Sequence, residues 1–135
     1  MTDSPSIPYC RVLTLLHAPA PGLQIAGAGG RWADVAPLEG AFVVNLGDML
    51  ERWTNGRYRS TLHRVVNPLG RERHSCAFFF EPNFDTVVAA LPSCVAPGRA
   101  PRWPPVTSGQ HLLDKYAATH AGYAARARVA GGGEG

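Results

Sequence analysis

The stretch GAFVVNLGDMLERWTNGRYRSTLHRVV, residues 40–66, contains the strongest structural signals in the chain. Its first part, AFVVNL at 41–46, is rich in the β-branched and aromatic residues that favour a strand. Residues 49–54 suit one or two helical turns, and the Asn55-Gly56 dipeptide suits a turn with positive φ. The run STLHRVV at 60–66 predicts a further strand. The stretch therefore predicts a strand, a short helix, a tight turn and a second strand.

Short strands are also expected on both sides of this stretch. The sequence predicts them at residues 12–16, 23–25, 32–35, 73–80 and 86–91, followed by a Pro-rich loop over 92–105. Residues 1–11 are expected to be irregular and residues 126–135 to form a disordered tail. Regularly spaced short strands with one helix near the C-terminus predict a mainly β fold, an antiparallel sandwich or barrel.

The helix is predicted to open at Thr107. Thr107 and Gln110 have the spacing of a capping box, in which each side chain satisfies a free backbone amide of the other residue. Apolar residues then recur at helical spacing and predict the buried face. They are Leu112, Leu113, Tyr116, Ala117 and His120.

Composition limits the class of protein. With 135 residues and a net charge of +3, the chain fits one domain and has no basic stripe interleaved with aromatic residues, so nucleic-acid binding is not expected. No apolar run approaches the ~18 residues that a membrane span needs. The start of the chain lacks the pattern of a secretory signal. Three widely spaced cysteines favour reduced thiols, and hence a soluble, cytoplasmic protein.

Three segments, residues 40–66, 71–83 and 107–120, are similar to the isopenicillin N synthase-like branch of the 2-oxoglutarate- and Fe(II)-dependent dioxygenases. The likeness runs almost continuously from residue 12 to residue 120. It implies a partial double-stranded β-helix, or jelly roll, with residues 12–125 forming the C-terminal half of the dioxygenase domain. It also implies oxidation of a small organic molecule, with Fe(II) and 2-oxoglutarate as cofactor and co-substrate.

The resemblance assigns roles to particular residues. His63, within STLHRVV, matches a histidine ligand of the family's iron site, which combines two imidazoles with one carboxylate. Arg73 and Ser75 match the pair that holds the distal carboxylate of 2-oxoglutarate, for which a guanidinium is well suited. His74 lies between them and is expected to face the other way. No catalytic side chain is assigned.

Other residues of these segments are given structural roles. Asn45, Gly47 and Asp48 are read as structural, with Asp48 expected to cap the short helix after the AFVVNL strand. Residues 78–80 are expected to belong to the core, although alternate members could face a substrate cavity. His17, His111 and His120 match no ligand position of the family, so each is treated as an ordinary histidine.

The resemblance breaks down ahead of residue 12, where the family has His-x-Asp. Without a gap, these two slots fall on Ile7 and Tyr9, and neither residue is a usable ligand. With an insertion, Asp3 would supply the carboxylate, but Met1 would replace the histidine. Either alignment leaves the iron site incomplete, so the isolated chain is expected to turn over slowly or not at all.

The family's N-terminal helical half also has no counterpart in the chain. A truncated product, a wrongly assigned start codon or a degenerate paralogue would each account for this, and a missing N-terminal half or a partner chain would complete the site. The competing hypothesis is a non-catalytic jelly-roll remnant that serves as a binding or assembly module.

Overall fold

A computed structural model describes residues 12–67 and 70–119. The expectations for residues 1–11 and 126–135 lie outside this part of the chain. Within it, the strands are β1 (Leu13–His17), β2 (Leu23–Ala26), β3 (Trp32–Asp34), β4 (Val43–Leu46), β5 (His63–Val65), β6 (Cys76–Phe80), β7 (Val87–Val88) and β8 (Val106–Thr107). The helices are α1 (Asp48–Trp53) and α2 (Ser108–Thr119), with short 3₁₀ turns at Ala28–Gly30 and Pro92–Cys94.

Two antiparallel three-stranded sheets dominate this architecture. One has the order β4-β1-β6 and the other β3-β2-β5, while β7 and β8 form a small antiparallel pair. In the first sheet, Thr14 is in register with Asn45 on one side and Phe79 on the other. In the second, Ile25 lies between Ala33 and His63. These two rows lie on the faces that the sheets turn toward each other, so the fold is mainly β as expected.

The outer face of the second sheet is polar. Arg64 Nε donates to Gln24 Oε1 at 2.8 Å, and Gln24 Nε2 donates to Asp34 Oδ1 at 2.8 Å. The Arg64 guanidinium also lies 4.3 Å from the ring centroid of Trp32. Because successive side chains of a strand point to opposite faces, this outward Arg64 places its neighbour His63 on the inner face.

The outer face of the first sheet is apolar. Val44, Leu15 and Phe78 form one cross-strand row there. Phe78 is 62% exposed and Phe80 53% exposed, while Phe79, which points to the inner face, is still 41% exposed. The prediction of a core position is therefore wrong for Phe78 and Phe80 in the described chain, because no described element covers the outer face of β6. Phe79 instead faces the cavity between the two sheets, as the alternative expectation allowed.

Several strands are shorter than the sequence predicts. The strand expected over residues 60–66 is confined to β5, and that over 73–80 to β6. Residues 60–62 and 73–75 lie outside the ladders. The pair β7 and β8 was predicted only in part, because Val106 and Thr107 appeared to belong to a loop and to the start of the helix.

Helix α2 packs on a small core of Val12, Met49 and Val88, mainly through Leu112. Its start is as predicted, since the Gln110 amide donates to Thr107 Oγ1 at 3.2 Å. The reciprocal half of the capping box is absent, because Gln110 Nε2 donates instead to Asp114 Oδ1 at 2.7 Å. In the described ranges, no helix has the length and apolar character to cross a membrane.

The inward face of α2 differs from the predicted one. Leu113 and Ala117 are exposed, whereas His111 and Lys115 turn toward α1. His111 Nε2 lies 3.1 Å and Lys115 Nζ 2.9 Å from Asp48 Oδ2. His111 is thus a structural contact between two helices.

Asp48 does not cap α1. The N-cap is Gly47, and Asp48 is the first helical residue, with its side chain turned toward α2. Burial alone would raise the pKa of this carboxyl group, but the contacts with His111 and Lys115 and their positive charge outweigh it. The pKa of Asp48 therefore lies below its ordinary value of 3.8.

Replacing Asp48 with Asn should destabilise the full chain near neutral pH by about 2 kcal/mol, the scale of a hydrogen bond to a charged group. Because the folded-state pKa is lowered, the stabilisation is present above the unfolded-state pKa and disappears as the pH falls through the folded-state pKa. Urea unfolding of both proteins at several pH values measures the difference. The exposed control Asp85→Asn should change the free energy of unfolding by less than about 0.5 kcal/mol. An Asp48→Asn effect independent of pH would contradict this account.

Candidate functional site

A cavity of about 150 Å³ lies between the two sheets. The side chains around it come from both sheets and from the segments that precede β5 and β6. They are Thr14, Leu16, Leu23, Asn45, Leu46, Gly47, Ser60, Thr61, His63, Val65, Ser75, Ala77 and Phe79. His63 and Ser75, which were assigned to different ligands of one site, thus share a single cavity. Its volume is below the range of about 300–1,000 Å³ that is typical of drug-sized ligands, and suits a smaller molecule.

The His63 ring is oriented by the backbone. Its Nδ1 atom lies 3.2 Å from the carbonyl oxygen of Thr61. A carbonyl oxygen only accepts hydrogen bonds, so Nδ1 must carry the proton. In the neutral ring, Nε2 then keeps its lone pair. A ring whose other nitrogen donates to a carbonyl is the usual arrangement of a metal-bound histidine, and His63 fits that role.

Arg73, in the segment ahead of β6, is not part of the cavity lining, but it contacts Ser75, which is. Its Nε donates to the Pro21 carbonyl at 3.0 Å, and its Nη1 donates to Ser75 Oγ at 3.4 Å. Its Nη2 atom is buried, and among the described residues it has no hydrogen-bond partner. The guanidinium is therefore fixed on two sides and has one nitrogen left for an acceptor.

Gly22 makes this anchoring possible. It has a φ of 120°, and a Cβ there would collide with the Val66 carbonyl oxygen and lie 3.5 Å from Arg73 Nε. Only glycine adopts this conformation readily. The sequence analysis missed the role of the Pro21 carbonyl, although the Pro21-Gly22 dipeptide was a visible turn signal.

The structure agrees with the sequence predictions for some neighbouring residues and differs for others. His74 is exposed and pairs with Glu72 at 3.2 Å, away from the cavity, as expected. His17 lies outside the cavity lining, with its ring centroid 5.8 Å from that of Phe42. Asn45, which was assigned a structural role, proves to be part of the cavity wall.

The described residues include no complete set of metal ligands. Within residues 12–67 and 70–119, no group of three or more His, Cys, Asp or Glu side chains is placed to hold a metal ion. The positions expected for the remaining ligands, Ile7 and Tyr9 or alternatively Asp3, lie outside the described residues, as does His120.

A family model identifies the superfamily of the chain. The model of the 2OG-Fe(II) oxygenase superfamily matches residues 8–82, which is more than half of the chain and includes the cavity and all three predicted site residues. The chain therefore belongs to the 2OG-Fe(II) oxygenase superfamily.

Curated relatives agree with this classification. The chain is 48% identical over 97 residues to the 2-oxoglutarate-Fe(II) type oxidoreductase hxnY of Emericella nidulans, covering 71% of this chain and 28% of that protein. It is 44% identical over 94 residues to the homoarginine-6-hydroxylase 2-ODD-233 of Oryza sativa subsp. japonica, covering 69% of this chain and 29% of that protein. The chain thus spans less than a third of the length of these relatives.

Solved structures extend the likeness to the fold. A full-length Neurospora crassa protein in complex with alpha-KG and 5-formyluracil matches with a TM-score of 0.73 and 36% identity, covering 82% of this chain and 37% of that one. The rice dioxygenase for auxin oxidation matches with a TM-score of 0.74 and 30% identity, covering 80% and 38%. The two facing sheets are therefore part of the oxygenase jelly roll, which confirms the expected fold.

The tautomer of His63 provides a test of the site's geometry. When neutral, His63 should carry its proton on Nδ1, whereas His74, whose Nε2 faces the Glu72 carboxylate, should carry it on Nε2. The ¹⁵N shifts of the histidine rings, recorded on the metal-free full chain at alkaline pH, distinguish the two forms. His63→Gln and His74→Gln assign the signals. A neutral His63 protonated on Nε2 would contradict the described orientation.

Proposed function

We propose that the protein to which this chain belongs is a 2-oxoglutarate- and Fe(II)-dependent oxygenase that acts on a small organic molecule. In this proposal Arg73 and Ser75 bind the distal carboxylate of 2-oxoglutarate, and His63 is a ligand of the iron. Family membership supports the reaction class, and the geometry around Arg73 supports the assignment of residues.

The observation that carries the proposal is the buried, unpartnered Nη2 of Arg73. A buried donor on a charged group without an acceptor is costly, and the cost is relieved when an acceptor binds. A carboxylate is the best match, because its two oxygens can accept parallel bonds from a guanidinium. Ser75, whose hydroxyl already accepts from Nη1, adds a further group beside the carboxylate and is part of the cavity lining.

His63 would hold the iron through Nε2. The Thr61 carbonyl fixes the ring by accepting from Nδ1, so the lone pair is directed without rotation of the side chain. With Fe(II) and 2-oxoglutarate bound, dioxygen would be the oxidant for hydroxylation, desaturation or ring closure, and oxidative decarboxylation of 2-oxoglutarate would supply the other two electrons that reduce it. The uncharged side chains of Leu16, Leu23 and Phe79 line the cavity and keep it largely apolar.

We further propose that additional polypeptide, a missing N-terminal half or a partner chain, completes the site. The strands β5 and β6 are both edge strands of their sheets, and residues of both line the cavity. Val65 and Phe79, which line the cavity beside these edges, are each 41% exposed. A segment that covered both edges would bury these side chains and could bring the remaining iron ligands.

We also propose that the substrate is a small molecule and that the protein is cytoplasmic. The related proteins carry names that refer to homoarginine and to auxin, so relatives of similar fold act on different small compounds. Which compound this protein takes is a property of the whole protein.

Calorimetric titration of the full chain with 2-oxoglutarate, in the absence of oxygen, tests the role of Arg73. Replacing Arg73 with Ala should weaken binding by roughly ten- to hundredfold, the equivalent of one charge-assisted hydrogen-bond pair. Ser75→Ala should weaken it less, because the guanidinium remains. Arg71→Ala, which removes an exposed positive charge two residues away, is the matched control and should leave the affinity unchanged. Equal losses for Arg73→Ala and Arg71→Ala would refute the assignment.

Adding Fe(II) to the same anaerobic samples tests the role of His63. The metal-to-ligand charge-transfer band of an iron–2-oxoglutarate complex should appear with the unaltered chain and be lost with His63→Ala. His74→Ala is the control and should retain the band. A band that survives His63→Ala would remove His63 from the metal site. The complete absence of the band from the unaltered chain would exclude catalysis by this chain alone.

A further inference from the structure

A second cavity, of about 320 Å³, adjoins the proposed 2-oxoglutarate cavity. It lies at the open edge of β4, and Asn45, Leu46 and Thr61 belong to the walls of both cavities. The rest of its lining is Ile25, Val35, Val43, Val44 and Arg59. Arg59 is the one charged side chain in this lining.

The segment ahead of β5 connects the second cavity to His63, the proposed iron ligand. Arg59 and Thr61 line the second cavity, while Ser60, Thr61 and His63 line the first, so Thr61 belongs to the wall that the two cavities share. Four residues of chain span at most roughly 14 Å, which limits the backbone distance between Arg59 and His63.

The Arg59 guanidinium is available for a ligand. Within the described ranges it has no ion-pair or hydrogen-bond partner. The nearest acid along the backbone is Glu51, whose Oε2 accepts from the Ser60 amide at 3.0 Å, so this carboxylate already has a hydrogen-bond donor. The charge of Arg59 at the rim of an otherwise uncharged cavity favours an anion whose body is apolar.

We propose that this second cavity binds the primary substrate, and that the substrate is a small carboxylic acid with an apolar body. Its carboxylate pairs with Arg59, and its apolar part lies against Ile25, Val43 and Leu46, pointing past Thr61 toward His63. The inference rests on the proposed function, because it gives the apolar end of the substrate a place beside the metal. It assigns Arg59 a substrate-binding role in addition to the co-substrate role of Arg73.

Hexanoate is a suitable probe, and the full chain is first saturated with 2-oxoglutarate so that Arg73 is occupied. Titration followed by NMR should show hexanoate binding more tightly than the neutral hexanamide. Arg59→Gln should weaken hexanoate by roughly three- to tenfold, as expected for a partly exposed ion pair, and should leave hexanamide unchanged. Arg57→Gln removes a nearby exposed charge outside the cavity lining and should have no effect.

Charge reversal makes the test independent of folding losses. The Arg59→Glu variant should no longer bind hexanoate and should bind hexylamine instead. A misfolded variant would bind neither compound. The absence of hexanoate binding, or equal weakening by Arg57→Gln, would overturn the inference. The 2-oxoglutarate affinity in the same samples separates the two proposals, because it depends on Arg73 and Ser75 and not on Arg59. If this affinity is retained while Arg59→Gln leaves hexanoate binding unchanged, only the substrate inference fails.

Discussion

The alternation of side chains along β5 is the constraint on which the site depends. Arg64 is held on the outer face by Gln24 and Trp32, so His63 must face the cavity. A shift of the strand by one residue would exchange the two side chains and place the imidazole in solvent. The polar row on the outside of the sheet thus fixes the direction of a functional residue on the inside.

Backbone carbonyl groups orient the two functional side chains. Thr61 and Pro21 contribute no side chain to the proposed chemistry, yet their carbonyl oxygens accept from His63 and Arg73 respectively. Each contact leaves one nitrogen of the functional side chain for a ligand, Nε2 in His63 and Nη2 in Arg73. Because these side chains are oriented before a ligand arrives, less conformational entropy is lost on binding.

The sequence was sufficient for the fold class, for the order of the main elements and for the sharing of one cavity by His63 and Ser75. The fold class follows from the spacing of the short strands, whereas the placing of His63 and Ser75 in one site follows from the resemblance to the dioxygenase family. The sequence failed where the outcome depends on distant partners. The local sequence around Asp48 fits a helix cap, but in the structure its carboxylate contacts two residues of α2 instead. The expected burial of Phe78 and Phe80 was wrong for a similar reason, because it depends on what covers the outer face of β6.

In the proposed arrangement, the first cavity binds 2-oxoglutarate, with Arg73 and His63 at opposite ends of this molecule. The second cavity, with Arg59, binds the primary substrate. The most direct measurement of the central claim uses ¹³C-labelled 2-oxoglutarate with Mn(II) in place of Fe(II). Paramagnetic relaxation of the bound molecule should be strong at the keto carbon and the adjacent carboxylate, and weak at the distal carboxylate held by Arg73. Equal or stronger relaxation at the distal carboxylate would contradict the account.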